Sequence, residues 1–207
     1  YRHIVLPARY GGATLPEVAP GREVALTATP QRRGTISDVA TGEVLEVVDA
    51  DALTLLARNP DIVRGRGATT VLTPHAGEFE RLTGSSPAPD RVAAVRELAR
   101  RWGVTVLLKG RATVIASPDG PVYVNEAGGS WAATPGSGDV LSGIIGALLA
   151  AGLEPAVAAA AAARAHSLAA NLAAADGPGA APISATPLLA HVRAAIGVLR
   201  STYHQFP

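Results

Sequence analysis

The chain has no cysteine among its 207 residues, which excludes a disulfide framework and any thiolate metal centre. That absence fits a reducing compartment, and the cytoplasm is the expected location. Neither charge is in excess: 18 basic and 17 acidic side chains leave a formal net charge of +1, so there is no basic field for nucleic acid. No apolar run is long enough for a membrane. The longest, VLSGIIGALLAAGL at 140–153, stops at Glu154 and Pro155, short of the ~20 residues a bilayer demands. The opening YRHIVLPARYGG lacks a charged head followed by an apolar block, so no leader peptide is expected. Internal repeats and low-complexity tails are absent. So are a G-x-S-x-G elbow, a Walker lysine loop and a Rossmann G-x-G-x-x-G opening a helix. His3, His166, His191 and His204 are scattered without ligand spacing, and no protein-built metal site is expected.

What is present is a chain 48% hydrophobic and 17% charged, ample for one large core. Residues 1–43 are broken by Gly11, Gly12, Pro16, Pro20, Gly21, Pro30, Gly34 and Gly42, and no element is assigned there. Beyond them the pattern sharpens. VLEVV (44–48), TTVLT (69–73) and VTVLLKG (104–110) read as buried strands. ATVIAS (112–117) and PVYVNE (121–126) flank Pro118-Asp119-Gly120 as a hairpin. Helices are expected at 50–58, 77–84, 89–103, 139–151, 155–175 and 186–200. Strands alternating with helices, and strands that are near-continuous apolar runs, predict an α/β fold with a mostly parallel sheet covered on both faces. Ligands in such sheets sit beyond the carboxyl ends of the strands. That rule selects Asp49 and Asp51, then His75 and Glu78, then Lys109, Gly110 and Thr113.

Three stretches carry chemistry. In ATPGSGDVLSGIIGALLAAG, glycines allow positive φ and a close approach to ligand. The helix start offers unpaired N–H groups and a positive dipole end. Gly136, Ser137 and Gly138 are therefore candidates for an anion hole. A carboxylate beside phosphate, Asp139, makes sense as a base that takes a hydroxyl proton while phosphate is attacked. The competing reading is a helix cap after a Gly-Ser-Gly turn, and on these four residues alone capping is favoured. In TPHAGEFERLTG, His75 and Glu78 straddle a helix start; they serve either a polar substrate edge or the helix dipole. In LLKGRATVI, Lys109 and Thr113 flank a strand end, as phosphate and ribose contacts or simply as strand-closing residues. Asp49 and Asp51 in VVDADAL read as caps of the next helix rather than as Mg²⁺ ligands.

The order TPHAGE, LLKGRATVI, ATPGSGD resembles the ADP- or ATP-dependent NAD(P)H-hydrate dehydratases, the carboxy-terminal YjeF-type domain of the ribokinase-like superfamily. The likeness runs from about Val47 to Val198 and takes in VVDADAL, VNEAGG, ARAHSLAANLAA and ISATPLLAHVRAAI. GSGD is common to many ribokinase-like kinases; TPHAGE together with LKG-x-x-T is the more specific signal. The resemblance implies a three-layer sandwich and a repair enzyme that dehydrates hydrated NADH or NADPH. It does so by phosphorylating the added hydroxyl from ADP or ATP, with Mg²⁺, and eliminating phosphate. Carried onto this chain, His75 would contact the hydrated dinucleotide. Lys109, Gly110, Arg111, Ala112, Thr113 and Gly138 would line the adenine nucleotide. Gly136, Ser137 and Gly138 would form the anion hole, and Asp139 would bind the substrate hydroxyl and act as catalytic base.

The resemblance also implies a homo-oligomer, with a tetramer among its sizes, and a working partnership with an NAD(P)H-hydrate epimerase. The choice between ADP and ATP stays open. Two departures stand out: Pro135 occupies a position where glycine is expected, and residues 1–43 do not match the family's opening. The expectation is a single domain over 1–207 that lacks part of its N-terminal portion. A ribokinase-like kinase of a vitamin precursor and an inactive nucleotide-binding protein are the rival readings.

Overall fold

The computed structural model describes residues 44–64 and 69–203, and ahead of them the backbone of five short strands. The strands are β1 (Arg2–Val5), β2 (Arg9–Tyr10), β3 (Ala13–Thr14), β4 (Val24–Ala28), β5 (Arg33–Asp38), β6 (Val44–Val48), β7 (Thr69–Leu72), β8 (Thr105–Leu108), β9 (Ala112–Ala116) and β10 (Val122–Glu126). The helices are α1 (Asp51–Arg58), α2 (Ala76–Thr83), α3 (Arg91–Trp102), α4 (Ser137–Ala150), α5 (Pro155–Ala174) and α6 (Ala185–Tyr203). Eight strands form one sheet in the order β1-β4-β5-β6-β7-β8-β9-β10, and β2 pairs with β3 apart from it. The parallel part is the central trio β6-β7-β8; antiparallel strands continue the sheet on both sides. The stretch before Val44, left unassigned from sequence, supplies three of those flanking strands.

Register explains the layers. Val48, Leu72, Val106 and Ala116 lie opposite one another across four strands. Because side chains alternate along a strand, this row faces one way, where it packs with Leu53, Phe79, Val95, Leu98 and Trp102 of α1, α2 and α3. Val47, Val71, Leu107 and Ile115 face the other way, against Leu141, Ile145 and Leu149 of α4 and the alanines of α5. Helices thus cover both faces, the arrangement the continuous apolar strands predict. In α5 the small size of alanine is structural. Ala158, Ala159 and Ala162 are wholly buried against the sheet side, and Ala169 and Ala170 are buried against α6. Side chains this small let one helix sit close to three neighbours.

Local chemistry sets the helix ends. Asp90 caps α3, its carboxylate accepting the Ala93 N–H at 2.9 Å, and Gly103 closes the helix in the left-handed region at φ 67°. Helix α4 begins at Ser137, two residues before the expected start, because Gly136 turns the chain at φ 84° and itself takes the cap position. Asp139 is therefore the third residue of the helix and not its cap. Among the described residues no helix is long and apolar enough to cross a membrane.

Two glycines with open space around them should respond with opposite signs. Gly103→Ala forces a side chain into left-handed backbone and should cost about 1 kcal/mol. Gly143, inside α4, has no such φ, and Gly143→Ala should add about 0.4–1 kcal/mol. Urea unfolding of both variants checks the pair; the same sign in both would contradict this account.

Candidate active site

The parallel strands deliver three charged groups to one place. Asp49 follows β6, Lys109 follows β8, and Glu78 stands in the first turn of α2 just beyond β7. The Lys109 ammonium donates to Asp49 Oδ1 at 2.7 Å and lies 3.7 Å from Glu78 Oε2. Both carboxylates are buried, each residue 7% exposed. Asp49 also accepts the Ala50 N–H at 2.9 Å and the Ser142 hydroxyl of α4 at 3.4 Å. The expectation that Asp49 caps α1 is corrected here: the cap position is Ala50, with no side-chain capping bond, and the Asp49 carboxylate turns to lysine. Opposite charges so buried hold only as a set, since removing one partner strands the other in a poor solvent for ions.

His75 and Glu78 form a reciprocal cap at the start of α2. His75 Nδ1 accepts the N–H groups of Gly77 and Glu78 at 3.0 and 3.2 Å, and Glu78 Oε2 accepts the His75 N–H at 2.8 Å. A capping box usually opens on serine or threonine; here histidine serves, which is why the pattern escapes a sequence search. One glutamate therefore fixes the histidine loop and also faces the lysine.

The α4 start comes down on this cluster. A Cβ on Gly138 would stand 3.1 Å from Asp49 Oδ2 and 3.7 Å from Lys109 Nζ, so any side chain there would press on the buried carboxylate as the helix end approaches. Ser137 is buried and tied twice. Its hydroxyl donates to the Ala132 carbonyl at 2.6 Å, and its N–H donates to the Thr134 carbonyl at 3.2 Å. Both its donors are thus used internally. The N–H groups of Gly136, Gly138 and Asp139 have no partner among the described residues, and they are the donors left for an anion. The Asp139 carboxylate is exposed and also has no partner there.

A cavity of about 750 Å³ opens beside these groups. Its wall brings together His75, Lys109, Gly110, Arg111, Thr113, Ser137 and Gly138 from three distant stretches of chain. Gly136, Ala112 and Asp139 do not line it, although each adjoins a residue that does. Thr113 is buried, its hydroxyl donating to the Gly110 carbonyl at 3.1 Å; Arg111 reaches out to Glu126 at 3.0 Å on the surface. The far wall is the loop at 127–134 with Asn125, Ala163, His166 and Ser167. Asn171 of α5 holds that loop by donating to the Ala127 carbonyl at 3.1 Å.

His166 gives no sign of a role in the sequence, yet it lines the cavity and is buried, with Nε2 2.9 Å from the Ser137 carbonyl. A carbonyl only accepts, so Nε2 carries the proton. Burial pushes this imidazole below the usual histidine range; the Ser137 carbonyl pulls it up, and the Lys109 charge adds to the lowering. The ring is a neutral strut between α5 and the first turn of α4.

The chain matches the model of the family described as NAD(P)H-hydrate dehydratase over residues 26–189, most of its length. It belongs to that family. The match begins inside the stretch that sequence reading left unassigned. A bifunctional NAD(P)H-hydrate repair enzyme of Mycobacterium leprae is 52% identical over 92% of this chain and 45% of its own length. An ADP-dependent (S)-NAD(P)H-hydrate dehydratase of Neisseria meningitidis is 44% identical over 67% of this chain and 49% of its own. Among solved structures, the ADP/ATP-dependent NAD(P)H-hydrate dehydratase of Bacillus subtilis, crystallised with ATP and Mg²⁺, has a TM-score of 0.65 at 30% identity. That likeness covers 77% of this chain and 57% of the other. The chain spans about half the length of the curated relatives it matches, or less.

Two outcomes follow for this dehydratase-family chain. Lys109→Ala leaves Asp49 and Glu78 buried without their cation and should cost about 2–4 kcal/mol, with part recovered by adding Asp49→Asn; urea unfolding reads both. His166 is held neutral in the fold with a lowered pKa, so unfolding takes up a proton below the unfolded value near 6.5. Its contribution therefore lowers stability as pH falls from there towards its folded value, by at most about 1.4 kcal/mol per pH unit. His166→Gln keeps a donor near the Nε2 position and should lose that part of the acid slope; an unchanged slope would contradict the buried neutral ring.

Proposed function

We propose that this chain carries out nucleotide-dependent dehydration of hydrated NADH or NADPH in the cytoplasm, restoring the nicotinamide ring. The single observation that supports it best is the convergence of His75, the Lys109–Thr113 loop and the Gly138 helix start on one cavity, in a chain of the dehydratase family. The Lys109–Thr113 loop would take the adenine nucleotide, ADP or ATP. The N–H groups of Gly136 and Gly138, at the positive end of α4, would hold the phosphate as its charge shifts. His75 would meet the hydrated dinucleotide. Asp139, one residue past the phosphate donors and without a partner among the described residues, would accept the proton of the added hydroxyl as the phosphoryl group arrives. Loss of phosphate from that carbon, with a proton leaving the neighbouring ring carbon for water, then re-forms the ring double bond.

Among the described residues no group of three or more His, Asp or Glu is arranged to hold a metal ion, and Asp49 and Glu78 are engaged by Lys109. The residues present fit Mg²⁺ held chiefly by the nucleotide's own phosphates and water; its chemistry would be to neutralise charge on the transferring group. The bifunctional relative of Mycobacterium leprae, about twice as long as its matched part, supports a partnership with a second repair activity, the epimerase. Assembly as a homo-oligomer belongs to the same proposal.

The test is recovery of nicotinamide absorbance from hydrated NADH with ADP, or ATP, and Mg²⁺, in wild type and in Asp139→Asn. Asparagine keeps the shape, and Asp139 is not the helix cap, so melting should move little. Turnover should fall by roughly 10²–10⁴. Wild-type turnover in Asp139→Asn would remove the base from this scheme, and a stable phosphorylated product in place of NADH would favour a kinase.

A further inference from the structure

We infer that Arg91 is a positioning residue for the nucleotide: from the start of α3 it holds the 108–112 loop in its binding shape from the protein side. The inference rests on the reading of that loop as the nucleotide site. Arg91 Nη2 lies 3.3 Å from the carbonyl oxygens of Lys109 and Ala112 and 3.5 Å from that of Leu108. These carbonyls come from the end of β8 and the start of β9, so one guanidinium ties both arms of the turn.

The rest of the loop's acceptors are also taken. The Gly110 carbonyl accepts the Thr113 hydroxyl, and the Arg111 carbonyl accepts the Ala127 N–H at 2.9 Å. The N–H groups of Gly110 and Arg111, on the cavity wall, have no partner among the described residues. With its carbonyls drawn inward, the loop keeps donors for acceptor atoms of the nucleotide. An arginine suits this task because its charge is permanent and its Nη2, which alone makes all three contacts, sits on a rigid planar head. Among the described residues Arg91 forms no ion pair, so its charge is directed at these carbonyls.

Gly110 belongs to the same device. A Cβ there would stand 2.7 Å from Arg91 Nη2 and 3.4 Å from Cζ. Its backbone does not need positive φ, so what an added Cβ would meet first is this guanidinium. The guanidinium is the flexible end of its side chain, and an alanine at 110 would push it off the carbonyls. Gly110→Ala and Arg91→Ala should therefore be the same lesion reached from two sides.

The experiment compares Arg91→Ala, Arg91→Lys, Gly110→Ala and the double variant Arg91→Ala/Gly110→Ala. Calorimetry gives ADP affinity, kinetics give KM for ADP and for hydrated NADH, and a melt without nucleotide confirms folding. Each alanine variant should weaken ADP about tenfold, the worth of a hydrogen bond to a charged group, while KM for hydrated NADH moves less than about twofold. Arg91→Lys, which keeps a cation but not the planar guanidinium, should fall between wild type and Arg91→Ala. The double variant should be no weaker than the weaker single one, because the second change finds the guanidinium already gone. Unchanged ADP affinity in Arg91→Ala, or losses that multiply to about a hundredfold in the double variant, would overturn the inference. Wild type that binds no ADP would instead overturn the nucleotide reading beneath it.

Discussion

The Lys109–Asp49 ion pair, with Glu78 as its second carboxylate, is the interaction on which the site depends. It joins the ends of β6 and β8 and the start of α2, three places far apart in sequence. Through Glu78 it reaches the His75 cap, and through Asp49 it reaches Ser142 of α4. A charge cluster this buried has little freedom: each member must stay within reach of the others or lose its compensation. The strand ends, the histidine loop and the helix start are thereby locked into one relative position. Two buried carboxylates around one ammonium also leave this cluster acidic overall, beside a helix end whose partial charge is positive. In the proposed scheme phosphate would be received by backbone N–H groups rather than by Lys109, which already has two carboxylate partners.

The sheet makes that cluster possible. Its central strands alternate strictly between two cores, one against α1–α3 and one against α4 and α5. Both faces are sealed, so the strand ends are where polar chain can emerge. Alanine in α5 and glycine at 138 serve the same end by different means: each omits bulk where another element must come close. His166 and Asn171, both on α5, carry that closeness to the α4 start and to the loop at 127–134.

Most of this fold can be read from residues, because the strands are runs of Val, Leu and Ile and α3 carries a clear helical period in Val95, Leu98 and Trp102. The site is legible only in outline. TPHAGE, LKG-x-x-T and GSGD each lie at a strand or helix end, and pattern can find such places. What each side chain does there is settled by packing across long sequence separations. Asp49 looks like a cap until Lys109, sixty residues later, is seen beside it. Ser137 looks like an anion donor until both its donors are traced to Ala132 and Thr134. Arg91 and His166 leave no local mark, since each acts on a carbonyl of another element. The strands before Val44 pass unnoticed because glycine and proline interrupt their short apolar stretches.

The most direct measurement is a crystal structure with ADP and Mg²⁺ bound. Adenosine should lie against the Lys109–Thr113 loop, with phosphate oxygens within hydrogen-bonding distance of the Gly136 and Gly138 N–H groups. The Lys109–Asp49 contact should remain in place, with Asp139 facing open space beyond the last phosphate. Nucleotide bound on another edge of the sheet, or phosphates turned away from the start of α4, would contradict it.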